Sequence, residues 1–380
     1  MIRNEKIIIY KGPKEEFNNY VKPYFDSNGN NYNLTKLVNL SDTERKTFLL
    51  KVEGVSTEPS EEEIKTIDLL TVSMNEYSGV TEAVTSNFVN FISKYNINRI
   101  IIQNPPNELV NDLVRQYDDS EVHIHNHEYK KINLKLISDF HKQCNTVILG
   151  QEEALKKITQ SLIIQQKLNK ENKPIVIMLY GPSGVGKTET GRLLASLLGE
   201  KMFYNQFSMF QNEGHFNYLY GDKVQYPSFA KDLMNRTSNI LFLDEFDKAN
   251  HFVYSALYEM FDTGVFEDKN FRVDLKNTLI ICTSNYENPK KILEHLGAPM
   301  FFRINYLIKY QELSTDVIIK LIEKYYYSLV SQLTPEEVKL VEAAKIKEKY
   351  INVADQFNNA RQIENFIRND IAKELTNNIK

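Results

Sequence analysis

The sequence has 380 residues, of which 42% are hydrophobic and 25% charged, which is ordinary for a soluble globular protein of two or three domains. A net charge of -4 argues against a general basic surface, so a nucleic-acid motor is disfavoured. Two cysteines, Cys144 and Cys282, give no disulfide framework and favour a reducing compartment. The apolar runs are too short to span a bilayer and no signal segment follows MIRNEK, so we expect a cytoplasmic protein without membrane contact.

The first 135 residues predict a small α/β domain, because strand and helix patterns alternate along them. The predicted strands are 6–10, 47–52, 67–74, 99–103 and 121–125. The predicted helices are 80–95 and 108–117. A stretch rich in Ser, Pro and Glu, residues 54–63, predicts a solvated loop. We expect this domain to recognise a protein partner or client.

Three histidines alternate near the end of this domain. His123, His125 and His127 lie on one face if the segment is a strand, and three imidazoles on one face can bind zinc. Only Glu128 lies nearby as a further ligand, so an exposed strand end is the favoured interpretation.

A phosphate-binding motif follows the change of character near residue 145. Residues 181–188 read Gly-Pro-Ser-Gly-Val-Gly-Lys-Thr, between a predicted strand, Ile175–Tyr180, and a predicted helix, 188–198. Gly184 and Gly186 let backbone N–H groups face phosphates, and the helix N-terminus adds partial positive charge. The motif predicts ATP and Mg²⁺ as cofactors, held by Gly181, Pro182, Ser183, Gly184, Val185, Gly186, Lys187 and Thr188. Lys187 supplies a charge for the β- and γ-phosphates, and the Thr188 hydroxyl serves the metal.

A second motif ends a predicted buried strand. Residues 240–245 read Ile-Leu-Phe-Leu-Asp-Glu, which places two carboxylates at the edge where open α/β sheets bind ligands. We expect Asp244 to hold Mg²⁺ and Glu245 to orient and deprotonate the attacking water. The two motifs together predict an ATPase that forms ADP and phosphate.

Further segments follow in a collinear order. They are 147–154 (VILGQEEA), 243–249 (LDEFDKA), 261–264 (FDTG), 272–278 (RVDLKNT) and 279–285 (LIICTSN). In these segments the chain from 147 to 380 resembles the Clp family of AAA+ unfoldases, in particular the second ATPase module of the ClpA and ClpB type. The resemblance implies an α/β fold: a P-loop AAA+ parallel-sheet domain, 145–305, and a small helical lid, 306–380, preceded by the α/β domain of residues 1–135.

The resemblance also implies site residues. Val147 and Ile148 would pack on the adenine, and Asn285 resembles the first sensor, which helps to place the attacking water. Arg303 resembles the arginine finger that acts on a neighbouring subunit, and Arg361 resembles the second sensor, which reaches the γ-phosphate from the lid.

Two positions depart from the family pattern. The family usually has Asp where Asn305 stands, so the ionic partner of Arg303 is left open. It normally has Gly where Asn359 stands, two residues before Arg361.

A site that needs a neighbour's arginine implies a ring of copies of this chain, most simply a homo-hexamer. The first hypothesis is therefore a ring-forming protein remodeller or unfoldase. The second is a non-threading nucleotide switch or regulator, in a defence or mobile-element system. Residues 218–227 stand where threading rings carry an aromatic–hydrophobic–Gly loop, and they contain Tyr220 and Tyr226 but no such tripeptide. This departure favours restricted clients.

Overall fold

The computed structural model describes residues 6–52, 64–118, 120–168, 172–210 and 215–377, with the backbone alone for 47–52. The predicted loop 54–63 lies outside these ranges. The chain forms two compact units. The first comprises Met1–Tyr129, Asn212–Thr237 and Val265–Leu275, and the second comprises Lys130–Gln211, Ser238–Gly264 and Lys276–Lys380. The three predicted domains stay a prediction, and two segments assigned to the ATPase domain lie in the first unit.

The described strands, in chain order, are β1 (Ile7–Lys11), β2 (Asn31–Asn33), β3 (Thr66–Ile67), β4 (Leu69–Val72), β5 (Asn96–Ile97), β6 (Ile100–Gln103), β7 (Val122–Asn126), β8 (Ile175–Tyr180), β9 (Phe203–Gln206), β10 (Ile240–Asp244), β11 (Val265–Glu267), β12 (Arg272–Asp274), β13 (Leu279–Ser284) and β14 (Tyr306–Lys309). The described α-helices are α1 (Lys14–Val21), α2 (Leu34–Val52), α3 (Glu82–Ser86), α4 (Phe88–Ile92), α5 (Asn107–Gln116), α6 (Leu134–Val147), α7 (Glu152–Leu168), α8 (Lys187–Leu197), α9 (Phe216–Tyr220), α10 (Phe229–Met234), α11 (His251–Ala256), α12 (Tyr258–Thr263), α13 (Pro289–Phe301), α14 (Thr315–Val330), α15 (Pro335–Ala343), α16 (Ile346–Ile351) and α17 (Ala360–Asn377).

The sheet of the first unit has five parallel strands in the order β2-β4-β6-β1-β7. Runs of isoleucine fill β1 and β6, because a parallel strand covered on both faces is apolar throughout. Ile8, Tyr10 and Ile101 pack with Phe17 of α1 in one core cluster.

Two sequence predictions for this unit are wrong. Residues 47–52 were expected to be a strand and instead end the helix α2. A short apolar run fits either element, and buried Leu34, Leu37 and Ser41 set a helical period upstream of it. The predicted helix 80–95 is two short helices, α3 and α4, because Asn87 leaves the helical region at φ -119° and ψ 34°.

The sheet of the second unit also has five parallel strands, in the order β14-β8-β13-β10-β9. Every residue of β8 and β13 is buried. A single apolar core joins this sheet to the C-terminal helices, with Ile177 and Leu194 in the same cluster as Ile318 and Ile363. The helices of the predicted lid are therefore packed on the domain that carries the phosphate motif.

In the ranges that the structure describes, no helix is both long enough and apolar enough to cross a membrane. In the same ranges no group of three or more His, Cys, Asp or Glu side chains is placed to hold a metal ion. Two of the alternating histidines instead pack on aromatic rings: His125 on Tyr10 and Tyr20, and His127 on Tyr129.

Candidate nucleotide site

The loop between β8 and α8 is built on glycines. Gly181, Gly184 and Gly186 have φ values of 128°, 74° and 107°, which side chains other than glycine rarely adopt. A Cβ at Gly181 would overlap the carbonyl oxygen of Tyr310, and one at Gly184 would overlap the side chain of Asn359. The backbone path of the predicted phosphate loop therefore depends on these glycines.

Lys187 begins α8 and is buried beneath this loop, with 7% of its surface exposed. Its Nζ donates hydrogen bonds to the carbonyl oxygens of Gly181 (2.5 Å), Pro182 (2.9 Å) and Ser284 (3.0 Å). Oδ1 of Asn285 also lies 3.0 Å from Nζ, so the three N–H groups of the ammonium are shared among four oxygens. The structure thus joins the predicted phosphate lysine to the predicted first sensor.

Burial lowers the pKa of Lys187 to about 8, although the carboxylates of Asp244 and Asp247 oppose this shift. Asp247 is itself fully buried, and burial raises the pKa of its carboxyl group. The charge of Lys187 is therefore held in a poorly solvated place where an added anion would be attracted strongly.

Asp244 and Glu245 meet a shared threonine. The Thr283 hydroxyl accepts the backbone N–H of Glu245 (2.8 Å) and donates to Oδ1 of Asp244 (2.6 Å). Tyr204 donates to the other Asp244 oxygen (2.8 Å), and Gln206 donates to Glu245 (3.2 Å). These three partners were missed, and the strand register that brings β9 and β13 beside β10 is what identifies them.

The remaining predicted loop residues differ in exposure. Val185 is 3% exposed and anchors the loop in the core, whereas Ser183 is exposed. Pro182 and Thr188 are half-buried. Thr188 stands in the first turn of α8, one residue after Lys187.

The predicted adenine segment lies between α8 and the C-terminal helices. Ile148 is 3% exposed and limits the space over Gly186, where a Cβ would come within 2.9 Å of its side chain. The carbonyl oxygen of Val147 accepts a 2.9 Å bond from Lys324 of α14. The segment thus contacts both the phosphate-loop side and the lid side of the unit.

The start of α17 touches the phosphate loop directly. The backbone N–H of Ala360 donates to the Gly184 carbonyl oxygen (3.1 Å), and Oδ1 of Asn359 accepts the Arg361 N–H (2.9 Å). The positive charge of Arg361 contributes to the lowered pKa of Lys187, so these two cations lie within electrostatic reach of each other. The structure therefore places the first turn of α17, which carries the predicted second sensor, beside the phosphate loop.

Arg303 follows α13 and makes its contacts elsewhere. Its Nε donates to Asp262 (2.8 Å), its Nη1 donates to the Pro299 carbonyl oxygen (2.6 Å), and its guanidinium lies 4.4 Å from the Tyr258 ring centroid. Asp262 is the ionic partner that the sequence left open. Asn305 instead bonds through its side chain to the backbone N–H of the second residue of β8 (2.7 Å).

The chemistry of these groups fits a magnesium nucleotide. Magnesium prefers oxygen ligands, and the Thr188 hydroxyl and the Asp244 carboxylate are the oxygens that would hold it. The phosphates would be held by the backbone N–H groups of the loop 181–186, whose path requires its three glycines, and by Lys187 beneath it. Bound Mg²⁺ would supply charge neutralisation at the transferred phosphoryl group.

Comparison with known proteins agrees with this geometry. Residues 172–326 match the family described as AAA domain (Cdc48 subfamily). The ClpA homolog protein of Fuscovulum blasticum is 27% identical over 278 residues, or 64% of this chain and 35% of that protein. Chaperone protein ClpB of Mycoplasmoides gallisepticum is 28% identical over 276 residues, or 66% of this chain and 38% of that protein. The AAA+ ATPase ClpV1 of Pseudomonas aeruginosa is 36% identical over 150 residues, or 36% of this chain and 17% of that protein.

A solved structure of Hsp104 with ATPγS and FITC casein, in a closed state, shares the fold. Its TM-score is 0.55 at 13% identity, over 99% of this chain and 88% of that chain. The sheet order, the glycine loop before α8 and the carboxylates at the end of β10 are those of a P-loop AAA domain. These comparisons confirm the predicted resemblance to the Clp-type AAA+ ATPases and the predicted α/β P-loop fold class. It spans about a third of the length of the ClpA and ClpB relatives.

Proposed function

We propose that this chain hydrolyses ATP to remodel protein clients and that it works as a ring of identical subunits. The observation that carries the proposal is the meeting of Lys187 with Asn285 at the strand ends, beneath a loop that α17 contacts through Ala360. A phosphate group placed there would meet charge from the loop lysine and from the lid arginine, Arg361.

The proposed division of labour follows from the hydrogen bonds. Asp244 has both oxygens fixed by hydroxyl donors, so it is oriented as a metal ligand. Glu245 has a left-handed backbone, with φ 50°, and its N–H donates to the Thr283 hydroxyl, while its carboxylate accepts a bond from Gln206. It would accept a proton from the attacking water. Asn285 would help to position that water.

The ring is proposed because Arg303 resembles a trans-acting arginine finger, and its contacts are with Asp262 and Tyr258 rather than with the phosphate loop of its own chain. Its side chain is 28% exposed, so a neighbouring subunit could meet it at the surface. A trans-acting arginine is worth roughly 10³ to 10⁵ in rate. The client is proposed to be a protein, bound through residues 1–135, and the Hsp104 structure contains a casein.

The test is a Glu245→Gln trap, because this change removes the base but keeps the shape of the side chain. We expect it to bind ATP like the wild type and to lose steady-state turnover by roughly 10²-fold or more. ATP-dependent ring assembly is measured in parallel, and clients retained by the trap are recovered with ATP present and absent. The matched control is Glu336→Gln, at an exposed position in the first turn of α15. Wild-type turnover in the trap would remove Glu245 from the mechanism.

A second candidate function is a non-threading nucleotide switch. It is favoured by the bonds that hold residues 218–227 in place. This segment stands where threading rings carry their client-gripping loop, and it belongs to the first compact unit. Ser78 donates a 3.0 Å bond to the Gln225 carbonyl oxygen, and Lys223 forms a 3.1 Å ion pair with Glu82. The segment is thus bonded to residues of the N-terminal region.

Two further bonds from residues outside the segment restrict it. Lys231 donates to the Val224 carbonyl oxygen, and Asn270 donates to that of Asp222 (2.9 Å). Threading needs a loop that moves with the nucleotide state and an aromatic side chain that grips any polypeptide. A loop fixed at several points fits a narrow client range or a switch.

Unfolding of a tagged fluorescent protein under ATP separates the two candidates. The switch candidate expects little loss of fluorescence with ATPase activity intact. Tyr226 is 53% exposed and Tyr220 stacks on Phe216 with centroids 4.3 Å apart, so both Tyr→Ala variants are run. Robust unfolding that disappears in either variant would establish a general threading machine.

A further inference from the structure

The two parallel sheets have the same topology. Taking the five strands of each sheet in chain order, the first sheet (β1, β2, β4, β6, β7) and the second (β8, β9, β10, β13, β14) both run 2-3-4-1-5. All neighbouring strands are parallel in both. The sheet of the nucleotide site is thus repeated, strand for strand, in the first unit.

The register extends the match to single residues. The last pair between the first and fourth strands is Tyr10 with Gln103 in one sheet and Tyr180 with Ser284 in the other. The next residue on the fourth strand is an asparagine in both cases, Asn104 and Asn285. Asn104 therefore occupies the position of the predicted first sensor.

The third strands can be aligned in the same way. Val72 pairs with Ile102, one residue before Gln103, and this is the position of Asp244 beside Thr283 in the other sheet. The following residues, Ser73 and Glu245, each precede a short 3-10 helix. The first unit therefore has valine and serine where the second has its two carboxylates, so this position offers neither a negative charge for Mg²⁺ nor a base that could deprotonate water.

The loop after the first strand differs as strongly. Six residues, 181–186, separate β8 from α8, whereas only Gly12 and Pro13 separate β1 from α1. A two-residue turn cannot wrap a phosphate group in backbone N–H groups. A Cβ on Gly12 would overlap the Cβ of His127, so this turn is closely packed.

We propose that the first unit is a second copy of the nucleotide fold in which the phosphate site has become a fixed structural joint, so that the chain has one nucleotide site. The joint consists of Gly12, Met74, Gln103 and Asn104. The proposal that the first unit repeats the nucleotide fold rests on the strand orders and registers. It depends on the proposed function only in assuming that the second unit binds a nucleotide.

The hydrogen bonds of the joint leave its amides satisfied. Asn104 accepts the N–H of Gly12 (2.9 Å) and donates to its carbonyl oxygen (2.8 Å). Gln103 donates to the same oxygen (3.0 Å) and accepts the N–H of Met74 (3.1 Å). Gln103 is 0% and Asn104 2% exposed, so breaking any of these bonds leaves a buried polar group unpaired.

The consequence is a unit whose conformation does not follow the nucleotide. In the second unit the strand ends would respond to bound phosphates. In the first unit the corresponding residues, Gln103 and Asn104, are bonded to Gly12 in the turn after β1. The first unit would then hold residues 218–227, which belong to it, in one position through the ATPase cycle.

The test counts nucleotides on the full-length chain. Titration calorimetry with ATPγS and Mg²⁺ is expected to give one site per chain for the wild type and none for Lys187→Ala. Two sites, or saturable binding that survives Lys187→Ala, would overturn the proposal. No binding by the wild type would refute the proposed ATPase. Hydrogen exchange at the joint, described next, would then decide whether the joint is fixed.

That second measurement is hydrogen exchange at the Gly12 and Met74 amides, with and without ATPγS. We expect slow exchange, unchanged by the nucleotide, because both N–H groups donate to buried side chains. Amides of residues 181–188 in the same samples are expected to become more protected and so report nucleotide binding. Fast exchange at Gly12, or a change there when nucleotide binds, contradicts a fixed joint.

Discussion

The asparagine that follows the fourth strand has different partners in the two sheets. Asn104 pairs with both backbone groups of Gly12, whereas Asn285 accepts a bond from the ammonium group of Lys187. The Asn104 amide is buried and bonded on both its oxygen and its nitrogen to the backbone of Gly12, so a ligand would have to break these bonds to reach it. The Asn285 amide, in contrast, is released when the Lys187 ammonium group leaves it to bind a phosphate. One fold can therefore carry either a fixed structural joint or a ligand site, depending on the side chains at the strand ends.

The largest expected difference between the sheets concerns the lysines at the start of α8 and α1. Lys187→Ala should abolish ATP binding or hydrolysis, because it removes the buried charge beneath the phosphate loop. Lys14→Ala should leave both unchanged, since Lys14 is exposed after a two-residue turn. Affinity for a fluorescent ATP analogue and steady-state turnover measure both variants. A clear loss with Lys14→Ala would show that the first sheet also takes part in nucleotide binding.

The arginines after the fourth strands give the next largest expected effect. Arg303→Ala should lower turnover roughly 10³- to 10⁵-fold, as expected of a trans-acting finger. Arg115, in the last turn of the helix that follows the fourth strand of the first unit, is 79% exposed and 3.7 Å from Asp112, and Arg115→Ala should have no effect. Mixing Lys187→Ala with Arg303→Ala subunits should restore some activity, since each supplies what the other lacks. A co-assembled mixture without activity would exclude the trans role.

The sequence predicted the second unit better than the first. The phosphate motif requires fixed residue types at fixed spacing, so Lys187 could be named before its geometry was known. Asp244 was named from the acidic residues at the end of a predicted strand, and Asn285 from the family resemblance. Asp262, Thr283 and Tyr204 could not, because each comes from a separate element and only the strand register and the packing of α12 bring them in.

The repeated topology of the first unit escaped sequence reasoning for a related reason. Its strands were mostly found, but parallel strand order is set by packing and leaves no local pattern. The joint of Gln103 and Asn104 also has no motif, since amides at a strand end resemble an ordinary turn. One strand, 47–52, was misassigned because a short apolar run fits a helix equally well.

The two asparagines themselves should separate stability from catalysis. Asn104→Gly keeps a residue that tolerates the φ of 44° but removes the buried amide, so unfolding free energy should fall by roughly 1–3 kcal/mol with turnover per folded chain unchanged. Asn285→Ala should do the reverse and lower turnover with little change in stability. Urea unfolding and ATPase assays on the same samples measure the pair. A turnover defect in folded Asn104→Gly protein would contradict the joint.

The smallest expected effect concerns the contact between the start of α17 and the phosphate loop of the second unit. Asn359 stands where the family has glycine, its side chain fills the space above Gly184, and its Oδ1 fixes the first turn of the helix by accepting the Arg361 N–H. Asn359→Gly removes that side-chain contact and the cap, while glycine still tolerates the backbone there. We expect nucleotide dissociation to become about 3- to 10-fold faster, corresponding to roughly 1 kcal/mol.

Stopped-flow release of a fluorescent ADP analogue measures this rate, and Asn358→Gly, at the exposed preceding position, is the control for added backbone freedom. If Asn359 only stabilised α17, both variants would lower the unfolding midpoint and leave release unchanged. If it holds the helix on the phosphate loop, only Asn359→Gly accelerates release. Slower release in Asn359→Gly would mean that the asparagine opposes closure of the helix over the nucleotide. In that case Arg361 and the hydrogen bond between Ala360 and Gly184 would retain the nucleotide without help from Asn359.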